Sequence, residues 1–152
     1  MLKFREIGTY KTAQNNGYTT CASKLKNGYG VLVNEATKIS TLPTADTAKG
    51  DVWIVVNKID KPEIHEPNDY AIEVGENPRL FRVKSLDGRI IDMDTDAVTT
   101  AYTGIAVGDT LTFGVDGKLV KNATLTDYAT YFKVIEKTQF GGEGIAVKVV
   151  VA

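Results

Sequence analysis

Histidine and cysteine are nearly missing from this chain: His65 and Cys21 are the single examples among 152 residues. That stock rules out a structural zinc site built from Cys and His ligands. It also rules out an intramolecular disulfide, so nothing in the chain calls for an oxidising compartment. Cys21 lies between Thr20 and Ala22 with no histidine nearby, which reads as an inert thiol. Any Ser-His-Asp or Cys-His arrangement would have to be built around His65. That residue sits in Pro62-Glu63-Ile64-His65-Glu66-Pro67, a loop with no serine or cysteine placed beside it, and it reads as an exposed loop histidine.

Charge of one sign is also lacking. Lys and Arg number 18 against 19 Asp and Glu, a formal net charge of -1. Duplex nucleic acid demands a basic face, so no nucleic-acid partner is expected. No apolar run approaches the roughly 20 residues of a membrane-spanning helix, and no membrane partner is expected. Met1-Leu2-Lys3-Phe4-Arg5-Glu6 lacks the apolar centre of a secretory leader.

Hydrophobic residues make up 43% and charged residues 24%, ordinary values for a globular domain. A chain of this length buries roughly 70% of its unfolded surface and needs no staples. Helical periodicity is poor throughout, and the fold class is mainly β. Asp94–Tyr102 and Leu125–Tyr131 are threonine-rich and hold at most one or two short helical turns.

Residues 1–26 are polar, with Leu2, Phe4, Ile7, Tyr10 and Tyr18 spread apart and turn signals at Asn15-Asn16-Gly17 and Lys26-Asn27-Gly28. They read as an extended N-terminal arm that needs something to lie against, the alternative being a frayed terminus. The β-domain occupies residues 27–152. Tyr29–Val33 is a short strand. Asp51-Val52-Trp53-Ile54-Val55-Val56-Asn57 is a continuous β-branched and aromatic run, the mark of a strand covered on both faces. Pro62 and Pro67 make a loop of Ile59–Asn68. Tyr70, Ile72 and Val74 alternate with Ala71 and Glu73, the period of a half-buried strand.

Asp87-Gly88 between Leu80–Val83 and Arg89–Met93 predicts a hairpin, and Asp116-Gly117 predicts another. Gly141-Gly142-Glu143-Gly144 is a looser version between Tyr131–Thr138 and Ile145–Val151. An unpaired valine-rich terminal strand is an aggregation hazard, so Ile145–Ala152 is expected to be covered.

Other constellations that chemistry would use fail on spacing. Asp92-Met93-Asp94-Thr95-Asp96 begins like a helix–loop–helix calcium loop, but that motif requires Gly at its sixth position and Glu at its twelfth, where Ala97 and Thr103 stand. The segment reads as a solvated acidic turn. Glu63, Glu66, Glu73 and Glu76 carry no spacing specific to paired-carboxylate chemistry. Gly104–Gly108 is followed by a strand, with no Gly-Lys-Ser/Thr, and is no phosphate loop. Trp53, Phe81, Tyr102, Phe113, Tyr128, Tyr131 and Phe132 read as core or interface residues, and Phe140 beside Gly141-Gly142 as the exposed aromatic. No cofactor, metal or catalytic residue is expected, and the chain reads as no enzyme.

The arm, the Gly-Asp strand openings at Gly50-Asp51 and Gly108-Asp109, and the terminal run Val107-Gly108-Asp109-Thr110-Leu111, Asp116-Gly117-Lys118-Leu119-Val120, Tyr131-Phe132-Lys133-Val134-Ile135-Glu136 and Gly144-Ile145-Ala146-Val147-Lys148-Val149-Val150-Val151 resemble tailed-bacteriophage capsid decoration (cement, head-stabilising) proteins. The likeness is centred on Gly108–Ala152. It implies a small antiparallel β-barrel or β-tulip-like domain on the outer surface of a capsid in the virion, made in the host cytoplasm, often as a homotrimer bridging major capsid protein subunits. Leu2, Phe4, Ile7 and Tyr10 are then the arm residues expected to contact the partner. Residues 104–152 are the terminal β-unit of that resemblance, and 57–103, which it does not cover, an elaboration exposed to solvent. The alternative is a carbohydrate- or host-surface-binding β-module of a virion fibre or spike, which calls for exposed aromatics in a groove.

Overall fold

A computed structural model describes residues 2–57, 70–139 and 142–152. The chain is mainly β, with short helical turns, as the sequence reading expects. The first six-stranded sheet contains β1 (Leu2–Phe4), β8 (Ile90–Asp94), β9 (Thr110–Phe113), β10 (Leu119–Lys121), β11 (Thr130–Thr138) and β12 (Gly144–Val151), in the order β1-β8-β12-β11-β9-β10. The second contains β2 (Asn15–Asn16), β3 (Thr20–Cys21), β4 (Gly30–Asn34), β5 (Ile39–Thr41), β6 (Trp53–Val55) and β7 (Leu80–Arg82), in the order β2-β7-β6-β4-β5-β3. Pairing is antiparallel except between β3 and β5.

One core joins the sheets. Phe4, Ile91, Leu111, Phe113, Phe132 and Val147 of the first meet Ile54 and Phe81 of the second. The strand period decides what each residue of Val52–Val56 sees. All five are buried; Val52, Ile54 and Val56 face this main core, while Trp53 and Val55 face a smaller one with Cys21, Leu25, Val31, Tyr70, Ile72 and Leu80. The two-sided strand read from the sequence is therefore present. Gly30 lets the sheets approach, since a Cβ there would lie 2.6 Å from the Phe113 ring.

The Asp116-Gly117 turn joins β9 to β10 as a hairpin, with Gly117 at φ 76°. The strands β11 and β12 pair over their length, with a bulge between Val134 and Glu136. The terminal strand lies between β8 and β11, inside its sheet, which answers the aggregation hazard of a valine-rich edge.

Several expectations are corrected. Asp87-Gly88 turns the chain, with Gly88 at φ 77°, but closes no hairpin: β7 and β8 belong to different sheets. The 3-10 turn Val83–Leu86 intervenes, and burial of Val83 and Leu86 makes this a crossover between layers. Residues 57–103 are no solvent-exposed elaboration where they are described, because β7 and β8 are internal strands carrying buried Leu80, Phe81, Ile91 and Met93. Tyr70–Val74 forms no regular strand. Ile72 makes a single bridge to Leu25, and Val74 is exposed. Leu125–Tyr131 holds no helix, whereas 3-10 turns occur at Thr95–Ala97 and Tyr102–Gly104.

The arm is corrected most. It does not stand apart from the β-domain but supplies β1 to one sheet and β2 to the other, joined by the single helical turn α1 (Thr9–Thr12). What it lies against is its own body: Phe4 is 3% exposed, and Leu2 and Tyr10 pack on the main core.

Three of the four edge strands, β10, β3 and β1, have partners on their open sides. The 99–100 segment lies along β10 through Thr99 N to Leu119 O and Lys121 N to Thr100 Oγ1. Residues 75–76 bond both backbone groups of Cys21 in β3. At β1 the outward amide of Phe4 donates to the Tyr10 hydroxyl. Pairing of these edges with foreign strands is thereby suppressed.

Candidate interaction surface

The turn that joins β1 to α1 is built from Arg5, Glu6, Ile7 and Gly8. Thr9 N donates to Glu6 O at 3.1 Å and Tyr10 N to Ile7 O at 3.3 Å, which closes the turn. Arg5 forks onto Asp92, with Nη2 to Oδ1 at 2.7 Å and Nε to Oδ2 at 3.2 Å, and reaches Glu136 at 3.3 Å. Glu6 pairs with Arg89. The two residues before Ile7 are thus bound to β8, β11 and the Asp87–Arg89 turn. Ile7 itself points outward at 82% exposure.

Beneath the turn, the Phe4, Tyr10 and Phe81 rings meet edge to face, with centroids 4.8 Å (Phe4–Tyr10), 5.0 Å (Phe4–Phe81) and 6.0 Å (Tyr10–Phe81) apart. The Arg79 guanidinium lies 4.9 Å from the Phe81 centroid and 5.7 Å from that of Tyr10. Edge-to-face aromatic geometry and a guanidinium over the rings are both attractive.

The four arm residues therefore divide. Phe4 is in the core, Leu2 and Tyr10 are half-buried against it, and Ile7 alone of the four is free to touch another molecule. The physical reason is the strand period, which turns Leu2 and Phe4 toward the core, together with the α1 turn that folds Tyr10 back over Phe4. Sequence reasoning missed Arg5 and Glu6, which hold the turn. Their partners are 83 to 131 residues away along the chain, and no local pattern announces them.

The other candidates disperse. Asp92 serves Arg5, Asp94 accepts from the Asp96 amide at 3.1 Å, and Asp96 faces Lys26 at 3.6 Å. Among the described residues no group of three or more His, Cys, Asp or Glu is arranged to hold a metal ion. Glu73 pairs with Lys24, and Glu76 accepts from the Glu73 amide. His65, Glu63, Glu66 and Phe140 lie outside the described residues. Cys21 is buried and donates to Glu73 O at 3.0 Å, and burial pushes its thiol pKa up, away from a nucleophile's range. Trp53, Phe81, Phe113 and Phe132 are core, as read; Tyr102, Tyr128 and Tyr131 are half-buried. No helix among the described residues is long and apolar enough to cross a membrane.

A second pinned surface flanks β10 and β11. Lys121 Nζ meets Asp109 at 2.7 Å and donates to Gly104 O at 3.2 Å. Lys137 Nζ stands 4.0 Å from the Tyr102 ring centroid and donates to Tyr102 O. These contacts fix the 102–109 segment, on which Val107 is 62% exposed.

Comparison with protein families, with curated proteins and with solved structures finds no match.

Proposed function

We propose that this chain is a non-enzymatic structural protein of the virion that binds the outer surface of a phage capsid and stabilises contacts between major capsid protein subunits, acting as a homo-oligomer with a trimer as the expected stoichiometry. The observation that carries the reading is Ile7. A large aliphatic side chain at 82% exposure stands on a turn whose two preceding residues are held by ion pairs. Isolated exposed aliphatics are common on protein surfaces. This one sits on a turn closed by the Thr9-to-Glu6 and Tyr10-to-Ile7 backbone hydrogen bonds, so inserting it into a shallow pocket orders little further chain and forfeits little entropy. Weak contacts of that kind become strong when several copies engage a repeating lattice together. The resemblance of Gly108–Ala152 to capsid decoration proteins falls on β9–β12, the four strands of the first sheet that would act as scaffold.

The test is co-sedimentation of the purified protein with expanded phage capsids, followed by thermal disruption of the particles. Binding that raises the disruption temperature, and that Ile7→Asp abolishes without unfolding the protein, is expected. Failure of the unaltered protein to sediment with capsids defeats the reading.

A further inference from the structure

We infer that residues 2–16 form an exchangeable clasp, able to leave their own sheets and complete those of a second copy of this chain. The inference deepens the capsid-surface reading by naming a partner for the arm, and it rests on that reading only for the place where copies meet.

The topology makes such an exchange possible without disturbing the rest of the fold. The strands β1 and β2 are terminal in their sheets, so removing one from each six leaves five strands in each with every internal pairing intact. What the segment leaves behind is a slot with a strict demand. Phe81 and Ile91, fully buried in the closed chain, lose their cover, and the outer edges of β7 and β8 lose their strand partners. An open apolar edge of that kind recruits a strand. The sequence that fits it in register is already defined: Leu2 opposite Met93, Phe4 opposite Ile91, Asn15 opposite Phe81. A second copy supplies that sequence with the same side chains, so the exchanged and closed forms share their contacts and differ mainly at the hinge and in association entropy.

Two further observations bear on how this segment is fastened. The buried side-chain oxygens without a hydrogen-bond partner, among the described residues, are Thr9 Oγ1 within the clasp and Thr19 Oγ1 just past its end. Thr9 re-enters the same surroundings in either form, whereas Thr19 stands where the two forms differ, so exchange can release the unmet hydroxyl at the hinge. The ion pairs that fasten the clasp, Arg5 to Asp92 and Glu136 and Glu6 to Arg89, join partly exposed side chains and are weakened by water and salt.

The hinge is the Gly17–Thr19 connection. Gly17 has open space around its Cβ position, and Tyr18 is 50% exposed. Three extended residues span about 10 Å. The receiving copy must therefore stand immediately beside the donor, as neighbours on a repeating surface or in a reciprocal dimer do.

Gln14 and Ser85 provide the test, because the Gln14 backbone N–H donates to Ser85 Oγ at 3.0 Å and both residues are exposed. A Q14C/S85C variant carrying Cys21→Ser is concentrated, oxidised, and run on a denaturing gel without reductant. Exchange predicts covalent dimers that reductant dissolves. A parallel K3C/D92C variant, across the register pair Lys3 and Asp92, is read the same way. Monomers alone from both variants, with the bond inside one chain or unformed, overturn the inference. Capsid binding by a variant locked within its own chain would then leave the capsid-surface reading standing while exchange falls.

Discussion

The backbone amide of Phe4 donates to the phenolic oxygen of Tyr10 over 3.1 Å. Tyr10 lies six residues further along the chain, and its hydroxyl occupies the outward amide of an edge strand while its ring packs on Phe4 and Phe81. One side chain thus closes the edge of the first sheet and covers the aromatic cluster between the sheets.

Tyr10→Phe keeps the ring and deletes the acceptor. The Phe4 amide is left to solvent or to another strand, and the expected loss is about 1 kcal/mol. Urea unfolding should show a lower midpoint at unchanged slope. An unaltered midpoint would mean that the hydroxyl contributes nothing to the edge.

Phe4 and Ile7 stand three positions apart and should behave oppositely. Phe4→Ala empties a core site and is expected to cost about 3–5 kcal/mol. Ile7→Ala touches a side chain in solvent and should stay within about 0.5 kcal/mol. Equal destabilisation in chemical denaturation would contradict the exposed placement of Ile7.

Gly117 and Gly75 both have positive φ, 76° and 87°, but in different surroundings. A Cβ on Gly117 would meet the Gly30 carbonyl oxygen at 2.9 Å, and one on Gly75 meets nothing within 4 Å. Gly75→Ala should cost about 1–2 kcal/mol for the left-handed backbone alone. Gly117→Ala adds a clash with backbone and should cost about 1–3 kcal/mol more. Thermal melts of the two variants give the comparison directly, and equal melting points would refute the close approach at Gly30.

Acid should weaken one contact in a defined window. The Lys121 ammonium, followed by the Ala106 amide, holds the Asp109 carboxyl below its ordinary value of 3.8. A depressed folded-state pKa gives stability that is present above the unfolded value and lost as pH falls through the folded one. Lys121→Met should therefore destabilise at about pH 6 and have a smaller effect at about pH 2, because protonation of the carboxyl removes the pair's contribution as pH falls. Identical effects at both pH values in urea titrations would argue against the pair.

Legibility in the sequence followed the range of the interaction. The two-faced Val52–Val56 run, the Asp116-Gly117 hairpin and the β11–β12 pairing each leave a local pattern of side-chain type and turn residue, and each is found. Asp87-Gly88 carries the same local signal as Asp116-Gly117 but leads between layers, because Val83 and Leu86 spend the preceding residues on a buried 3-10 turn. The arm looked extended because α1 is a single turn, too short to show a helical period. Arg5 and Glu6 gave no hint of their role, which depends on Asp92, Glu136 and Arg89 brought close only by the assembled sheets.

Cryo-microscopy of expanded phage capsids mixed with the protein tests the account where it is most exposed. The account predicts ordered density for the protein on the outer surface, with the Glu6-Ile7-Gly8 turn against major capsid protein subunits and the Ile7 side chain enclosed. Capsids that carry no such density, or that carry the protein with Ile7 turned to solvent, would contradict it.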